Sequence, residues 1–205
     1  MTFSDGYTDL PPGKIASVVT YLEMRQPPSF PSTPAPSGLS CRKVPRPNLN
    51  WYRELYRAVG QDWLWFRRLR MSDAQLTQEI HAPEVDVYVL SLSSQGDKGL
   101  LELDRRSDSR NEICEVEISY FGLTKDLVGQ GAGRYLMDQA LAAAWASNPQ
   151  RVWVHTCTLD HPQALAFYLK AGFTPYKRAI EVTDDPRLTG ETPPSAAPHI
   201  PVIKK

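Results

Sequence analysis

The sequence predicts an α/β (α+β) fold: a mixed, mostly antiparallel central sheet with one parallel βαβ crossover and helices on both faces. Polar turns at 93–98 and 105–111 separate three apolar segments, Val85–Leu92, Gly99–Asp104 and Ile113–Leu123, which should be antiparallel neighbours. A helix from about Ala132 to Ser147 then leads to the apolar strand Arg151–Thr156. Two strands joined through a helix pair in parallel by a right-handed crossover, which explains the mixed sheet.

The other elements surround this unit. Further strands are predicted at Lys14–Met24, which is rich in β-branched and aromatic residues, at Gly38–Val44 and at Phe173–Val182. Periodicity, caps and a first-turn proline predict three further helices: Trp51–Val59, one opened by the capping box of Ser72 and Gln75 and ending near Ile80, and Asp160–Lys170 with Pro162 near its start.

The domain organisation follows from these elements. Residues 1–182 are expected to form a single domain, with 14–24 as an extra N-terminal strand and 27–47 as a proline-rich loop holding a short strand. Residues 183–205 form a proline-rich tail that wraps the surface or is partly disordered.

Composition excludes several classes of function. Lys plus Arg and Asp plus Glu number 23 each among 205 residues, so the net charge is zero and neither nucleic acid nor a membrane is an expected partner. Cys41, Cys114 and Cys157 lack metal-ligand spacing, so we expect no metal and reduced thiols. The longest apolar run, Ala140–Ala146, is far below the ~20 residues that span a bilayer, and the N-terminus has no signal-peptide pattern. A cytoplasmic protein is expected.

A glycine-rich loop, Gly129–Gly133, separates a strand from a helix. The start of a helix carries unpaired N–H groups and partial positive charge, and glycines let phosphate oxygens approach the backbone. The GxGxG spacing, with no acid across Ser147–Arg151, does not fit a dinucleotide fingerprint, and Arg134 stands where a P-loop needs lysine. The loop is therefore a candidate pyrophosphate site, with a tight turn that binds nothing as the alternative.

At this loop the sequence resembles the GCN5-related N-acetyltransferase (GNAT) family. The family's acetyl-CoA motif, Arg/Gln-x-x-Gly-x-Gly/Ala before a helix, is similar to Val128–Gly133, and Val128 departs from it at the first position. A second segment, His161–Phe173, resembles the family's Asn-x-x-Ala-x-x-x-Tyr-x-x-x-Gly-Phe, with His161 where Asn is usual. The resemblance covers about 38–180 and leaves the strand Lys14–Met24 and the tail outside.

The resemblance implies acetyl-CoA as co-substrate and a set of residues that hold it. Those residues are Phe121, Gly122, Leu123, Gly129, Gln130, Gly131, Ala132, Gly133, Arg134, His161 and Tyr168. Backbone N–H groups near Phe121–Leu123 would polarise the thioester carbonyl where the parallel strands part. Tyr168 would protonate the departing thiolate, because a phenol with a pKa of about 10 keeps its proton at neutral pH. A tyrosine that only packs the helix on the sheet is the alternative.

The base that takes the amine proton has several candidates. Glu117 lies two residues before Ser119 on one face of its strand, while Ile118 and Tyr120 point to the other face. Glu117 is the catalytic candidate, His155 is its rival because of its suitable pKa, and water is a third. A salt-bridged carboxylate and a core histidine are the structural alternatives.

Three further features invite interpretation. An aromatic cluster, interpreted either as an acceptor wall or as core, contains Trp51, Tyr52, Trp63, Trp65 and Phe66. The basic run Arg67–Arg70 is expected to be a solvated helix end, although it could meet a carboxylate or the phosphates of CoA. Cys157 is expected to pack rather than to react.

The function expected from these residues is transfer of an acetyl group from acetyl-CoA to a primary amine of a small molecule by direct attack. The alternatives are a protein N-terminal or lysine acetyltransferase and a non-catalytic acyl-CoA-binding module. The segment 27–47, if it roofs the site, would favour a small acceptor. Oligomeric state is open, a homodimer included.

Overall fold

A single seven-stranded sheet organises the chain in the computed structural model, which describes residues 5–29, 33–106 and 114–204. The strands are β1 Lys14–Met24, β2 Leu39–Lys43, β3 Val85–Leu92, β4 Gly96–Asp104, β5 Glu115–Leu123, β6 Arg151–Cys157 and β7 Thr174–Asp184. Their order is β2-β3-β4-β5-β6-β1-β7. β5 and β6 pair in parallel, and every other neighbouring pair is antiparallel. The predicted fold class is confirmed.

Helices cover both faces of the sheet. They are α1 Leu49–Gly60, α2 Arg67–Arg70, α3 Asp73–Ile80, α4 Ala132–Trp145, α5 Ala164–Lys170 and α6 Pro186–Thr189, with 3₁₀ turns at Gln61–Trp63 and Lys125–Leu127. Side chains of α1 and α3 pack on one face, against Val87, Val89 and Leu100. Side chains of α4 and α5 pack on the other, against residues such as Leu103 and Ile118. We call these the α1 face and the α4 face.

Local signals place most element boundaries within two residues. The capping box predicted at Ser72 and Gln75 is present, and both of its hydrogen bonds form. Asn48 caps α1 by accepting from the backbone N–H groups of Asn50 and Trp51, so that helix begins two residues before the predicted Trp51. The end of the predicted turn 105–111 and the predicted strand start at Ile113 lie outside the described residues.

The strand β1 lies inside the sheet, between β6 and β7. Leu22 pairs in register with Val154 of β6 and is completely buried, and the other edge of β1 carries β7 along nearly its whole length. The strand β1, which lies outside the family resemblance, therefore connects the last strand, β7, to the rest of the sheet.

The C-terminal tail packs on the domain. Ala196 and Ala197 join Ile15 and Leu64 in a small buried cluster. The buried side chain of Arg187 in α6 donates to the carbonyl oxygens of Ala196, Ala197 and Ile200.

No helix in 5–29, 33–106 or 114–204 is long and apolar enough to cross a membrane; α4, with 14 residues, is the longest.

Candidate functional site

The parallel strands β5 and β6 part after a short pairing. Their last paired residues are Ile118 and Val154. Beyond that point Phe121 and Gly122 stay paired with β4, whereas His155 and the residues after it pair with β1. One edge of the Phe121–Leu123 backbone thus faces a gap in the sheet, where the family resemblance implies that the strands part. The proposed use of its N–H groups stays a prediction.

A cavity of about 1070 Å³ occupies this gap. It is lined from both faces of the sheet and connects two groups of predicted site residues. On the α4 face lie the glycine loop and Tyr168, and on the α1 face lie Trp65, Glu117 and His155. The gap therefore joins the candidate cofactor loop to the candidate base.

The glycine loop has the geometry of an open anion cradle. Gly129 and Gly131 have φ angles of 83° and 81°, which side-chain-bearing residues rarely adopt, and Gly131 is the N-cap of α4. A Cβ at either position would meet no atom within 4 Å, so the backbone there is approachable. The first turn of α4 carries no acidic residue that would repel a phosphate.

The other loop residues are placed as follows. Gln130 turns its amide back to donate to the Asp126 carbonyl at 2.6 Å. Ala132 is buried, and Arg134 bonds to Asp138 at 3.1 Å. His161 borders the cavity, where its ring lies 5.1 Å from that of Trp63.

Tyr168 lies on α5, lines the cavity and is surrounded by aromatic side chains. Its ring lies 6.2 Å from Phe121, 5.7 Å from Phe167 and 6.1 Å from Phe173. Burial, together with the negative charge of Asp160, raises the pKa of Tyr168 well above its ordinary value. The phenol is thus kept protonated.

The two rival bases contact each other. The Nδ1 atom of His155 lies 3.4 Å from Oε1 of Glu117, and both side chains are partly exposed to the cavity. They are brought together because β5 and β6 are neighbours and both residues face the α1 side. The sequence treats them as alternatives; the structure makes them a pair.

A β-bulge in β5 changes which side chains face this pair. Glu102 of β4 is opposite Tyr120, but the next residue, Leu103, is opposite Ile118, so Ser119 is the extra residue. Tyr120 consequently turns to the α1 face, where its ring lies 5.0 Å from that of Tyr56. The prediction that Tyr120 shares a face with Ile118 is wrong, because strict alternation does not survive a bulge.

The aromatic cluster divides between wall and core. Trp63, Trp65 and Phe66 line the cavity. Trp51 instead donates to Asp97 at 2.8 Å, and Tyr52 is fully buried.

Two glycines leave the space that the Trp65 side chain occupies. A Cβ at Gly60 or at Gly122 would collide with the Trp65 side chain or with Val59. The Trp65 indole N–H donates to Asp160 at 3.3 Å, and Asp160 also accepts from the Cys157 backbone N–H at 2.8 Å. The cavity-lining residues Trp153 and Tyr21 belong to no motif, and Asp160 is noted only as a helix start, so the sequence does not identify the three as site residues.

The basic run is a solvated helix end only in part, because Arg67 and Arg70 are exposed and Arg68 is not. Arg68 is buried and bonds to Glu102, which is completely buried, and to Glu79 at 3.2 Å. Arg67 bonds to Glu181 of β7, and Arg70 bonds to Glu191 of the tail at 2.8 Å. The expectation is wrong for Arg68, because its carboxylate partners are remote in sequence and only the fold brings them to α2.

The described residues of the proline-rich segment, 27–29 and 33–47, do not roof the cavity. They are absent from the cavity lining. Pro27 and Pro28 lie beside Met137 of α4, and the Thr33 backbone N–H donates to Asp138 at 2.7 Å. Pro27, Pro28 and Thr33 thus lie beside α4, and the described residues of the segment give no support to the interpretation as a roof.

Cys157 borders the cavity as an unreactive thiol. Burial raises its pKa to about 11, which leaves little thiolate at neutral pH. All three cysteines are free. Within the part of the chain that the structure describes, no cluster of His, Cys, Asp and Glu could hold a metal ion.

A family model matches the part of the chain that holds the glycine loop and Tyr168. Residues 99–173, which span β4 to the end of α5, match the model of the acetyltransferase (GNAT) family. This part of the chain is similar to that family, whose acetyltransferases use acetyl-CoA.

One curated relative is the mycothiol acetyltransferase of Jonesia denitrificans, 32% identical over 80 residues. That match covers 39% of this chain, and the chain spans about a quarter of the length of this relative, 25%.

Solved structures share the fold at low sequence identity. A GCN5-related N-acetyltransferase from Sphaerobacter thermophilus has a TM-score of 0.59 at 15% identity, covering 85% of this chain and 52% of that one. An aminoglycoside acetyltransferase from an uncultured soil metagenomic sample has a TM-score of 0.53 at 17% identity, covering 65% of this chain and 86% of that one.

Proposed function

We propose that this chain is an N-acetyltransferase that transfers an acetyl group from acetyl-CoA to a primary amine of a small molecule by direct attack. The observation that carries the proposal is the cavity through the sheet, which joins the glycine loop to Glu117 and His155. Names of relatives support acetyl transfer, and one of them is an aminoglycoside acetyltransferase, a protein named for a small amine-bearing acceptor.

The residues present fit the phosphates and thioester of acetyl-CoA. The open backbone at Gly129 and Gly131 and the acid-free start of α4 suit a pyrophosphate. In this proposal Gln130, Ala132, Gly133, Arg134 and His161 border the same ligand. The backbone of Phe121–Leu123, free of β6, would orient and polarise the thioester carbonyl. Acetyl-CoA supplies the activated acyl group, and the chain supplies position and proton transfer.

Two side-chain groups would move the protons. As the amine nitrogen bonds to the acyl carbon and the C–S bond breaks, the Glu117–His155 pair accepts the proton that the nitrogen loses, directly or through water. Tyr168 donates its proton to the leaving sulfur. Burial also raises the pKa of a thiol, as it does for Cys157, so a thiolate that leaves into a buried part of the cavity would accept a proton more readily than one in water.

The experiment is a panel of primary amines incubated with acetyl-CoA, with release of the CoA thiol as the readout. Glu117→Gln should lower kcat/KM by about 100-fold or more. Glu115→Gln is the matched control on the same strand face, because that carboxylate bonds to Arg151 and lies outside the cavity lining. Acetyl-CoA binding without thiol release for any amine would favour a non-catalytic binding module. Acetylation of peptides but of no small amine would favour a protein acetyltransferase.

A further inference from the structure

An open aromatic surface extends from the Glu117–His155 pair across β6, β1 and β7. The aromatic platform, as we call it, consists of Trp153, Tyr21 and Tyr176, with the Tyr21 ring 6.2 Å from each of the other two. Trp153 is directly opposite Glu117 in register, so the two share the α1 face. Trp153 and Tyr21 both line the cavity. The platform thus begins where the amine would react.

The far side of the platform carries a cation. Lys177 is opposite Tyr21 in register, and its ammonium lies 4.5 Å from the centre of the Tyr21 ring, folded back over the platform. In the described ranges Lys177 forms no ion pair with a carboxylate. The nearby carboxylates Glu23 and Glu115 are both bonded to Arg151. Contact with a ring is a weak interaction for an ammonium at an exposed site, so Lys177 can turn to an anion.

The distances match a small molecule. The His155 ring lies 5.6 Å from the Tyr21 ring, so the imidazole and the ammonium are no further apart than this distance and the 4.5 Å contact combined. That span is at most about the length of three extended residues. The aromatic surface carries a carboxylate, Glu117, at one end and a cation, Lys177, at the other. These two ends complement a molecule that has an amine and an anionic group.

The geometry points to an acceptor that carries an anionic group as well as its amine, with Lys177 as a specificity-determining residue. The inference rests on the proposed function. The amine lies at Glu117 and His155, the carbon skeleton lies over Tyr21 and Trp153, and the anionic group bonds to the Lys177 ammonium.

Three amines built on one ring test this: para-(aminomethyl)benzoate, benzylamine and para-xylylenediamine. The wild-type protein should prefer the benzoate. Lys177→Gln should raise KM for the benzoate about tenfold and leave kcat and the KM of benzylamine nearly unchanged, since a charge-assisted hydrogen bond is lost. Lys177→Glu should shift the preference to the diamine. Arg178→Gln is the matched control, because it removes the same charge from the adjacent residue on the opposite strand face.

The outcomes separate this inference from the proposed function. Equal use of the benzoate and benzylamine by the wild type, or equal effects of Lys177→Gln and Arg178→Gln, would overturn the inference and leave acetyl transfer standing. If none of a broad amine panel is acetylated, the proposed function fails. Calorimetric binding of para-(aminomethyl)benzoate in the presence of CoA then decides: a tenfold loss of affinity in Lys177→Gln supports the anion site, and unchanged or absent binding rejects it.

Discussion

Tyr168 is the residue whose surroundings say most about the proposed chemistry. It is buried among aromatic rings, and its raised pKa holds the proton until a strong base is generated beside it. Tyr168→Phe should therefore lower kcat by about 100- to 10,000-fold and leave acetyl-CoA affinity nearly unchanged, because the ring still packs. Single-turnover rates and equilibrium binding measure the two effects.

Tyr88→Phe is the control for the loss of a phenol, because Tyr88 lies outside both the cavity lining and the aromatic platform. Parallel losses of rate and affinity in Tyr168→Phe would make Tyr168 a binding or packing residue. Unchanged turnover where chemistry limits the rate would remove it from the mechanism.

Gly131 offers a test of the cradle that separates backbone strain from ligand contact. Gly131→Val should abolish acetyl-CoA binding, because a side chain would occupy the space above the backbone N–H groups. It should also cost about 1–3 kcal/mol of stability, since φ is 81°. Gly96 in the β3–β4 hairpin has a similar φ of 78° and equally open surroundings, so Gly96→Val should cost the same stability without affecting binding. Undiminished affinity in a folded Gly131→Val protein would contradict the cradle.

At the scale of elements, a buried ion pair holds α2 against the sheet. Glu102 accepts from Arg68 and from the Tyr52 hydroxyl at 2.6 Å, beneath the cavity wall that carries Tyr120. Arg68→Met should cost about 3–5 kcal/mol in urea unfolding, because it leaves the Glu102 carboxylate buried without its cation. Adding Glu102→Leu should recover part of that loss. Arg67→Met is the control, because Arg67 forms an exposed ion pair, and it should cost less than about 1 kcal/mol of stability. An equal loss of stability at Arg67 and Arg68 would show that the buried ion pair does not hold α2.

The tail is held by a second buried pair, with a defined pH dependence. Asp185 accepts from the Arg187 guanidinium at 2.7 and 2.9 Å; burial alone would raise the pKa of Asp185, but hydrogen bonds from Arg187 hold it below its ordinary value. Since the folded pKa is the lower one, this stabilisation is complete above about pH 4–5 and is lost as pH falls through the folded pKa.

The difference in unfolding free energy between the wild type and Asp185→Asn should therefore be largest near neutral pH and shrink below about pH 4. Urea unfolding at a series of pH values measures it. A difference that grows on acidification would show that the pair is not what secures the tail.

For the molecule as a whole, β1 and the tail make the two ends of the chain interdependent. The Gly13 backbone N–H donates to the Ile203 carbonyl at 2.8 Å, and β7 reaches the rest of the sheet through β1. We propose that residues 1–182 form one domain, which should unfold together with its tail in a single transition. Circular dichroism and tryptophan fluorescence should report coincident midpoints, whereas separated midpoints would indicate an independent part.

Much of the fold and part of the site could be predicted from local patterns. Alternating apolar residues, the Ser72 capping box and the glycine loop act over a few neighbouring residues, and the structure has a strand, a helix start and a helix N-cap at those places. The parallel crossover followed from a helix between two strands. The site residues known only from the family resemblance, such as Tyr168 and His161, do border one cavity, although their roles remain proposals.

The sequence by itself thus determined the elements, the parallel pair and the cofactor-loop candidate, because each depends on contacts within a short stretch of chain. Only the tertiary structure decided that β1 separates β6 from β7, that a bulge at Ser119 turns Tyr120 to the α1 face, and that Arg68 is buried on Glu102. It also brought Glu117, His155, Tyr21 and Lys177 onto one surface. Which strand lies beside another depends on residues that are remote in sequence, and so does the charged group that a side chain contacts. The local periodicity of a sequence does not encode the positions of such residues.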